Sequence, residues 1–373
     1  MVFKEAFEHY RAGTATPEET TYIEQELEKN RLISEYLEND FDVNMEHDEA
    51  PVEELKIVKK SIRRRNRNII AVSVAIVAIL ALLAFFVARP LLNNLYYNPM
   101  TKNYEKYAYD FDLSMVAYTE LHQAYYVYDS TIIENTGIGK YTMTMFRSNI
   151  STGKQEVLSA SLNKNKLTLP YTLTTSNISV NIFSRASYPE YHLESATKES
   201  YIKALKEIPD YMRVKAAVSF SKDLSMDELI DLRGKTKVSF LWAGIRNAPE
   251  DKQRYPLCGM ELTSSGIVYE EINSKYPAFD LSSIRGKMAY SASDYEAHFY
   301  SLLNYTIDHT EFLNAINPEQ NAVSYYQDVL DYVKKDGVKT YGVMVVGSAA
   351  DILAMMDTGI ISQIWPLEAE VSF

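Results

Sequence analysis

The 373-residue sequence holds a single cysteine, Cys258, so no disulfide within the chain is available and every segment must fold on its own core. That thiol reads as a small buried hydrophobe. Cationic excess is missing as well: 38 Lys and Arg stand against 50 Asp and Glu, a net charge of −12, which excludes the phosphate-tracking surface of a direct nucleic-acid binder. The six histidines, His9, His47, His122, His192, His298 and His309, show no His-x-x-x-His spacing, and no Cys-x-x-Cys is present. The sequence therefore supports no metal site. Gly137-Ile138-Gly139-Lys140 lacks the glycine that a phosphate loop needs ahead of its Gly-Lys pair, because Glu134 stands there. Gly-x-Ser-x-Gly, Ser-x-x-Lys with Lys-Thr-Gly, and His-Glu-x-x-His are all absent. Glu270-Glu271 and Asp294 with Glu296 read as solvated faces. The expectation is a protein that binds, without cofactor, and is not an enzyme.

The charge that is present is sorted by segment. Met1 to Val58 carries sixteen Asp or Glu against five Lys or Arg. The next ten residues supply six cations, Lys59, Lys60, Arg63, Arg64, Arg65 and Arg67. After Arg89 the remainder has 26 basic and 34 acidic residues, a mild imbalance.

Directly behind the cations, Ile69 to Val87 runs nineteen residues without a charge, with Ser73 its only hydroxyl. At ~1.5 Å per residue it reaches about 29 Å, close to the ~30 Å of a bilayer's hydrocarbon. A buried core helix is shorter, and a cleaved signal sequence starts nearer the N-terminus. The reading is one transmembrane helix. Six cations before it and only Arg89, Lys102 and Lys106 soon after place the N-terminus in the cytoplasm and the large C-terminal region outside. Pro90, Asn93, Asn94 and Tyr96-Tyr97 are expected to end the helix at the outer interface.

In the acidic segment, Val2, Phe3, Ala6, Phe7 and Tyr10 recur at helical spacing, and Gly13 ends the run. Thr16-Pro17-Glu18-Glu19 opens a second helix: Thr16 caps, Pro17 suits the first turn and Glu19 completes a capping box. Its apolar side comes from Ile23, Leu27, Ile33, Tyr36 and Leu37. After an acidic connector at Glu38 to Glu49, Val52, Leu55, Val58 and Ile62 form a third stripe running into the span. So thin a core folds marginally or is completed by a partner.

Tyr10-Arg11-Ala12-Gly13, Thr16-Pro17-Glu18-Glu19, Ile23-Glu24 and Leu27 resemble the helix-turn-helix core of the anti-sigma domain that many bacteria fuse to a membrane helix. Zinc-binding members carry His-x-x-x-Cys-x-x-Cys near this point. Laid on this sequence, that motif falls on Glu26, Asn30 and Ile33, and Ile33 has no ligand atom. The resemblance is therefore to a zinc-less member.

Beyond the span the pattern predicts a mixed α/β, α+β region. Lys140 to Phe146, Lys166 to Thr175 and Ile178 to Phe183 read as strands; Leu113 to Tyr125, Ser293 to Ile316 and Ala322 to Lys335 read as helices. Two strand-helix-strand runs follow one order. The first is Val214 to Phe220, Ser225 to Leu232 behind a Ser-x-x-Glu box, and Lys237 to Trp242. The second is Tyr341 to Val346, Ala350 to Met356 and Ile360 to Trp365. Lys215 to Trp242 spans 27 residues and Lys339 to Trp365 spans 26. Either the unit is duplicated or the match is chance; both tryptophans are expected to pack in a core. This layout resembles the extracytoplasmic C-terminal domain of the sigma factor regulator family of low-GC Gram-positive bacteria.

The fold class expected is thus multi-segment: residues 1–58 a small all-α cytoplasmic domain, 59–68 a basic juxtamembrane stretch, 69–87 the transmembrane helix, 88–105 a linker, and 106–373 the extracytoplasmic domain. The resemblance implies a membrane-bound anti-sigma factor whose partner is an extracytoplasmic-function sigma factor. Phe3, Phe7, Tyr10, Ile23, Leu27 and Leu55 would give the apolar contact, with Glu24 and Glu28 among the charges that steer a basic partner. The outer domain would couple this grip to the state of the envelope, and a second membrane regulator is compatible with the layout. The alternative is a single-pass envelope scaffold docking to a membrane complex.

Overall fold

The computed structural model describes residues 3–43, 52–104, 109–124, 126–170, 172–173, 183, 195–249, 258–263, 270–284, 289–316 and 322–371. The chain divides into two compact units, Met1–Leu83 and Ala84–Phe373.

In the first unit, α1 (Phe3–Arg11) and α2 (Pro17–Val43) form a helix pair, and α3 covers Val52–Leu83. Gly13 turns the chain at φ +72°, a backbone conformation that only glycine adopts without strain. The Thr16 N–H donates to Glu19 Oε2 at 2.9 Å, and the Glu19 N–H donates to Thr16 Oγ1 at 3.3 Å. This reciprocal box satisfies two N–H groups that a helix start otherwise leaves open. α2 runs to Val43, so the first part of the expected acidic connector is helical.

The second unit begins with a π-helical turn, Ala84–Ala88, and α4 (Arg89–Asn93). Pro90 has no N–H to give to the helix ladder, and the π turn lies directly ahead of it. α5 (Asp110–His122) follows, and eleven of its thirteen residues are buried. β1 (Tyr126–Gly137), β2 (Lys140–Asn149), β3 (Gln155–Asn163) and β4 (Lys166–Thr168) make a four-stranded antiparallel meander. β4 is shorter than the Lys166 to Thr175 strand expected. Of the predicted strand Ile178 to Phe183, all but Phe183 lie outside the described residues.

After α6 (Ser195–Glu207) come β5 (Met212–Ser225), α7 (Met226–Lys235), β6 (Ser239–Ile245) and β7 (Cys258–Glu261). α8 (Glu270–Asn273), α9 (Ala292–Asp308), α10 (Thr310–Ile316) and α11 (Ala322–Asp336) precede β8 (Lys339–Ser348), α12 (Ala349–Ala354) and β9 (Ile361–Val371). The single helix expected over Ser293 to Ile316 breaks at His309, whose Nδ1 bonds the Tyr305 carbonyl at 2.7 Å and whose ring stacks on Tyr305 at 3.9 Å.

The second sheet has five strands in the order β7-β6-β8-β5-β9, every neighbour antiparallel. β5 therefore runs parallel to β6 across β8, and β8 runs parallel to β9 across β5. Each strand-helix-strand unit is split by the central strand of the other, as in ferredoxin-like sheets. The two runs seen in the sequence are thus related by a pseudo-twofold axis. Ser225 and Ser348, and equally Trp242 and Trp365, stand 123 residues apart. Ser225 Oγ caps α7 by accepting from the Glu228 N–H at 3.2 Å, and Ser348 Oγ caps α12 by accepting from the Asp351 N–H at 3.1 Å. The same offset in sequence links the buried residues Leu229 and Ile352, Leu232 and Met355, Val238 and Ile361.

The lysines that open the sequence match are one residue out of this register. Lys215 is buried and its Nζ reaches Glu368 at 3.1 Å, whereas Lys339 is exposed. Trp242 is fully buried among Phe183, Tyr341 and Met344; Trp365 is half-buried against the Tyr201 ring at 5.5 Å. Cys258 is buried, and burial pushes its thiol up to about 12, so it packs as a hydrophobe.

Candidate partner-binding helices and the docked linker

Helical spacing on α1 gathers Phe3, Phe7 and Tyr10 on one face. Phe3 and Phe7 stack at 5.7 Å, and Phe3 meets the Tyr22 ring of α2 at 6.5 Å. Between the helices Ala6 and Ile23 are buried, while Phe3, Phe7, Tyr10 and Leu27 remain 38–45% exposed. The predicted contact residues therefore separate into two roles. Ile23 is enclosed and ties α1 to α2; Phe3, Phe7, Tyr10 and Leu27 are open apolar side chains. Leu32, Ile33 and Tyr36 extend the exposed apolar surface along α2, a length that the sequence stripe suggested only in part. Leu55 lies on α3, and its side chain is outside the described residues.

Around these side chains the surface is acidic. Glu24 and Glu28 are exposed. Glu28 accepts from Arg31 Nη2 at 2.8 Å, and this partner holds its carboxyl below the usual range. Glu19 is also lowered, first by the Thr16 N–H and then by His9, whose Nδ1 lies 3.0 Å away.

Lys59, Lys60, Arg63, Arg64, Arg65 and Arg67 are exposed in the N-terminal half of α3 and precede its apolar stretch. Lys59 to Asn93 is one helix long and apolar enough to cross a membrane, and none of its apolar window is buried. A soluble helix this apolar would bury one face.

The chain that leaves this helix is docked on the second unit. Asn93 Oδ1 accepts the Gly139 N–H at 2.9 Å, and the Tyr97 N–H donates to Asn165 Oδ1 at 2.9 Å. These contacts fix it to two hairpin turns of the meander. The Tyr141 hydroxyl donates to Asn98 Oδ1 at 3.3 Å, and the Asn103 N–H donates to Asp110 Oδ1 at 3.0 Å. At Gly139, with φ +60°, an added Cβ would stand 2.7 Å from Tyr96 Cδ2. Asparagines and turn glycines have no periodicity, so the sequence gives no sign of this docking.

A buried polar cluster joins α5 to the insertion between β6 and β8. His298 Nε2 is hydrogen-bonded to Glu120 Oε1, and its Nδ1 lies 2.8 Å from the Ala278 carbonyl. The Glu261 N–H donates to Glu120 Oε1 at 3.2 Å, and Trp242 Nε1 donates to the Glu120 carbonyl at 2.8 Å. Burial alone would lower His298, but the Glu120 charge and its hydrogen bonds outweigh this and raise it. Glu261 is raised well above the usual carboxyl range by burial, then by Glu120 and Asp280. Among the described residues no group of three or more His, Cys, Asp or Glu is arranged to hold a metal ion.

The chain thus combines an open apolar helix pair, a helix of membrane-crossing length and a mixed α/β body. Residues 190–364 match the family model described as sigma factor regulator C-terminal. That match supports a sigma-factor regulatory role for the protein, with a sigma factor as partner. The match runs from the approach to α6 into β9 and takes in both split units; the meander and the helices before it lie outside it. No curated protein and no solved structure matches the chain.

Proposed function

We propose that the protein is a membrane-bound anti-sigma factor: residues 1–58 hold an extracytoplasmic-function sigma factor at the membrane, and residues 106–373 regulate that hold from outside the cell. The observation that carries this reading is the exposed set Phe3, Phe7, Tyr10 and Leu27 on a capped, acidic helix pair, in a chain whose residues 190–364 match the sigma factor regulator C-terminal model. Apolar side chains left open on so small a unit favour a partner that covers them. The acidic surface steers a basic protein to that face and sets the on-rate; apolar burial sets the lifetime. In this proposal the helix over 69–87 spans the membrane, and the six cations at 59–67 keep the N-terminus inside. The outer domain reports the state of the envelope. The helix pair needs no metal, because the family's zinc-ligand positions fall on Glu26, Asn30 and Ile33.

The test is co-purification of the full chain, in detergent, with a small sigma factor from cells, and reporter output after deletion of the gene. A recovered sigma factor and a regulon switched on support the proposal. A chain that recovers no sigma factor, with no change in transcription on deletion, overturns it and favours the scaffold.

A further inference from the structure

We propose that one face of α3, at the head of its apolar stretch, binds the headgroup of an acidic phospholipid. A shallow groove of about 480 Å³ runs along this face, lined by Ser61, Arg64, Arg65, Asn68, Ile69 and Val72 among others. At ~100° and ~1.5 Å per residue, Arg64 and Arg65 diverge to the two sides of this face, and Ser61 and Asn68 fall between them, one a turn before and one a turn after. Two guanidinium forks with a hydroxyl and an amide between them make a four-point cradle. Ile69 and Val72 carry the same face on into the apolar stretch.

The surroundings say what fills it. All four polar side chains are exposed, and among the described residues neither guanidinium has an acidic partner. The helix that carries them buries none of its apolar window against the protein. The proposed function sets that window in hydrocarbon with the cations on the cytoplasmic side, and the lipid site rests on that placement. The cradle then lies at the level of the inner leaflet's phosphates.

The occupant needs a phosphate for the two forks, which bind such groups bidentately, and an acyl chain to lie along Ile69 and Val72. A headgroup that adds an ammonium meets two like charges here. A headgroup that adds only hydroxyls meets Ser61 and Asn68, which can hydrogen-bond them. The lipid class is therefore acidic, with phosphatidylglycerol as its probe.

The remaining cations separate this site from a general preference for the cytoplasmic side. Lys59, Arg63 and Arg67 fall on the other side of the helix by the same spacing and line no part of the groove. Orientation of the helix depends on how many cations precede the span and not on which face they occupy, so it counts all six alike. A built site counts Arg64 and Arg65.

The experiment is native mass spectrometry of the full chain, in detergent, titrated with phosphatidylglycerol or with phosphatidylcholine. The first phosphatidylglycerol is expected to bind about tenfold tighter than the first phosphatidylcholine, the worth of one charged hydrogen bond. Arg64→Gln with Arg65→Gln should abolish that preference. Arg63→Gln with Arg67→Gln removes the same charge and should leave the preference intact. Ser61→Ala with Asn68→Ala should weaken phosphatidylglycerol several-fold at constant charge. These positions are all exposed, so none of the variants opens the core. Glycerol 1-phosphate, which has no acyl chain, should not displace the lipid. Equal affinity for the two lipids, equal losses in the two arginine pairs, or displacement by glycerol 1-phosphate overturns the proposal. Alkaline extraction of cell membranes reads the span separately: a chain washed off by alkali fails the transmembrane reading, whereas a chain that stays embedded without a lipid preference fails this proposal alone.

Discussion

Glu120 on α5 and His298 on α9 are hydrogen-bonded inside the core across 178 residues of chain. The same Glu120 oxygen also accepts the Glu261 N–H of β7. One carboxylate thereby joins the first helix after the linker, an edge strand of the five-stranded sheet and the helical insertion.

This cluster fixes the sign of the pH dependence. His298 and Glu261 both have folded pKa values raised above their unfolded ones, so the folded state binds protons more tightly at each. Their contribution is fully present below the unfolded values, ~6.5 for His and ~4.3 for Glu. It is lost as pH rises through the folded values. Thermal melts of the purified chain should therefore show the second unit growing less stable from weakly acidic to mildly alkaline pH. His298→Gln should flatten the His part of that slope. A melting temperature that climbs over the same range would contradict the assignment.

Ile23 and Leu27 are one helical turn apart and act differently. Ile23 is enclosed between α1 and α2, and Leu27 is open. Ile23→Ala should cost about 2–4 kcal/mol in a unit with little to spare, and the helix pair should lose circular-dichroism signal together with partner capture. Leu27→Ala should leave the helix pair folded and weaken capture through a faster off-rate. Surface plasmon resonance beside circular dichroism separates them; equal loss of helix in both would merge the two roles.

Glu24 and Glu28 test steering. Neither is enclosed, so reversing both to Lys leaves the core of the helix pair unchanged. Association with the captured sigma factor should slow, most strongly at low ionic strength, and the difference should shrink as salt screens the field. An unchanged on-rate at low salt would remove the electrostatic part of the proposal.

The elements written in periodic apolar residues were legible. Thr16 and Glu19 announce a helix start by their spacing, and so do Ser225 and Glu228, because a capping box is local chemistry. Trp242 and Trp365 stand at the same distance from the cap of each connecting helix, in the strand that follows it, although only Trp242 is enclosed and Trp365 is half-buried. The register of the repeat slipped by one at Lys215, since nothing local separates a buried, ion-paired lysine from an exposed one. The sequence stripe groups Ile23 with Leu27, because a helical stripe does not say which of its members an adjacent helix covers. The Glu120–His298 pair and the asparagine straps of the linker were illegible for a further reason. Each is a single polar contact between residues far apart in sequence, and no spacing rule reaches that distance.

Those straps give the last prediction. Asn93 Oδ1 holds the Gly139 N–H at 2.9 Å, and Gly139 sits at φ +60° with Tyr96 packed against it. Gly139→Ala introduces a Cβ at 2.7 Å from the Tyr96 ring and strains the backbone as well. Asn93→Ala removes the bond without adding bulk. Both should release the chain between the apolar helix and α5 while leaving the buried core of the second unit in place. Limited proteolysis of the full chain in detergent should then cut faster in the stretch 94–104, with Gly139→Ala giving the larger acceleration. If the protein regulates across the membrane through this segment, the same variants should shift reporter output with the inner helix pair intact. A linker that resists protease equally in both variants would mean that the two straps do not hold it.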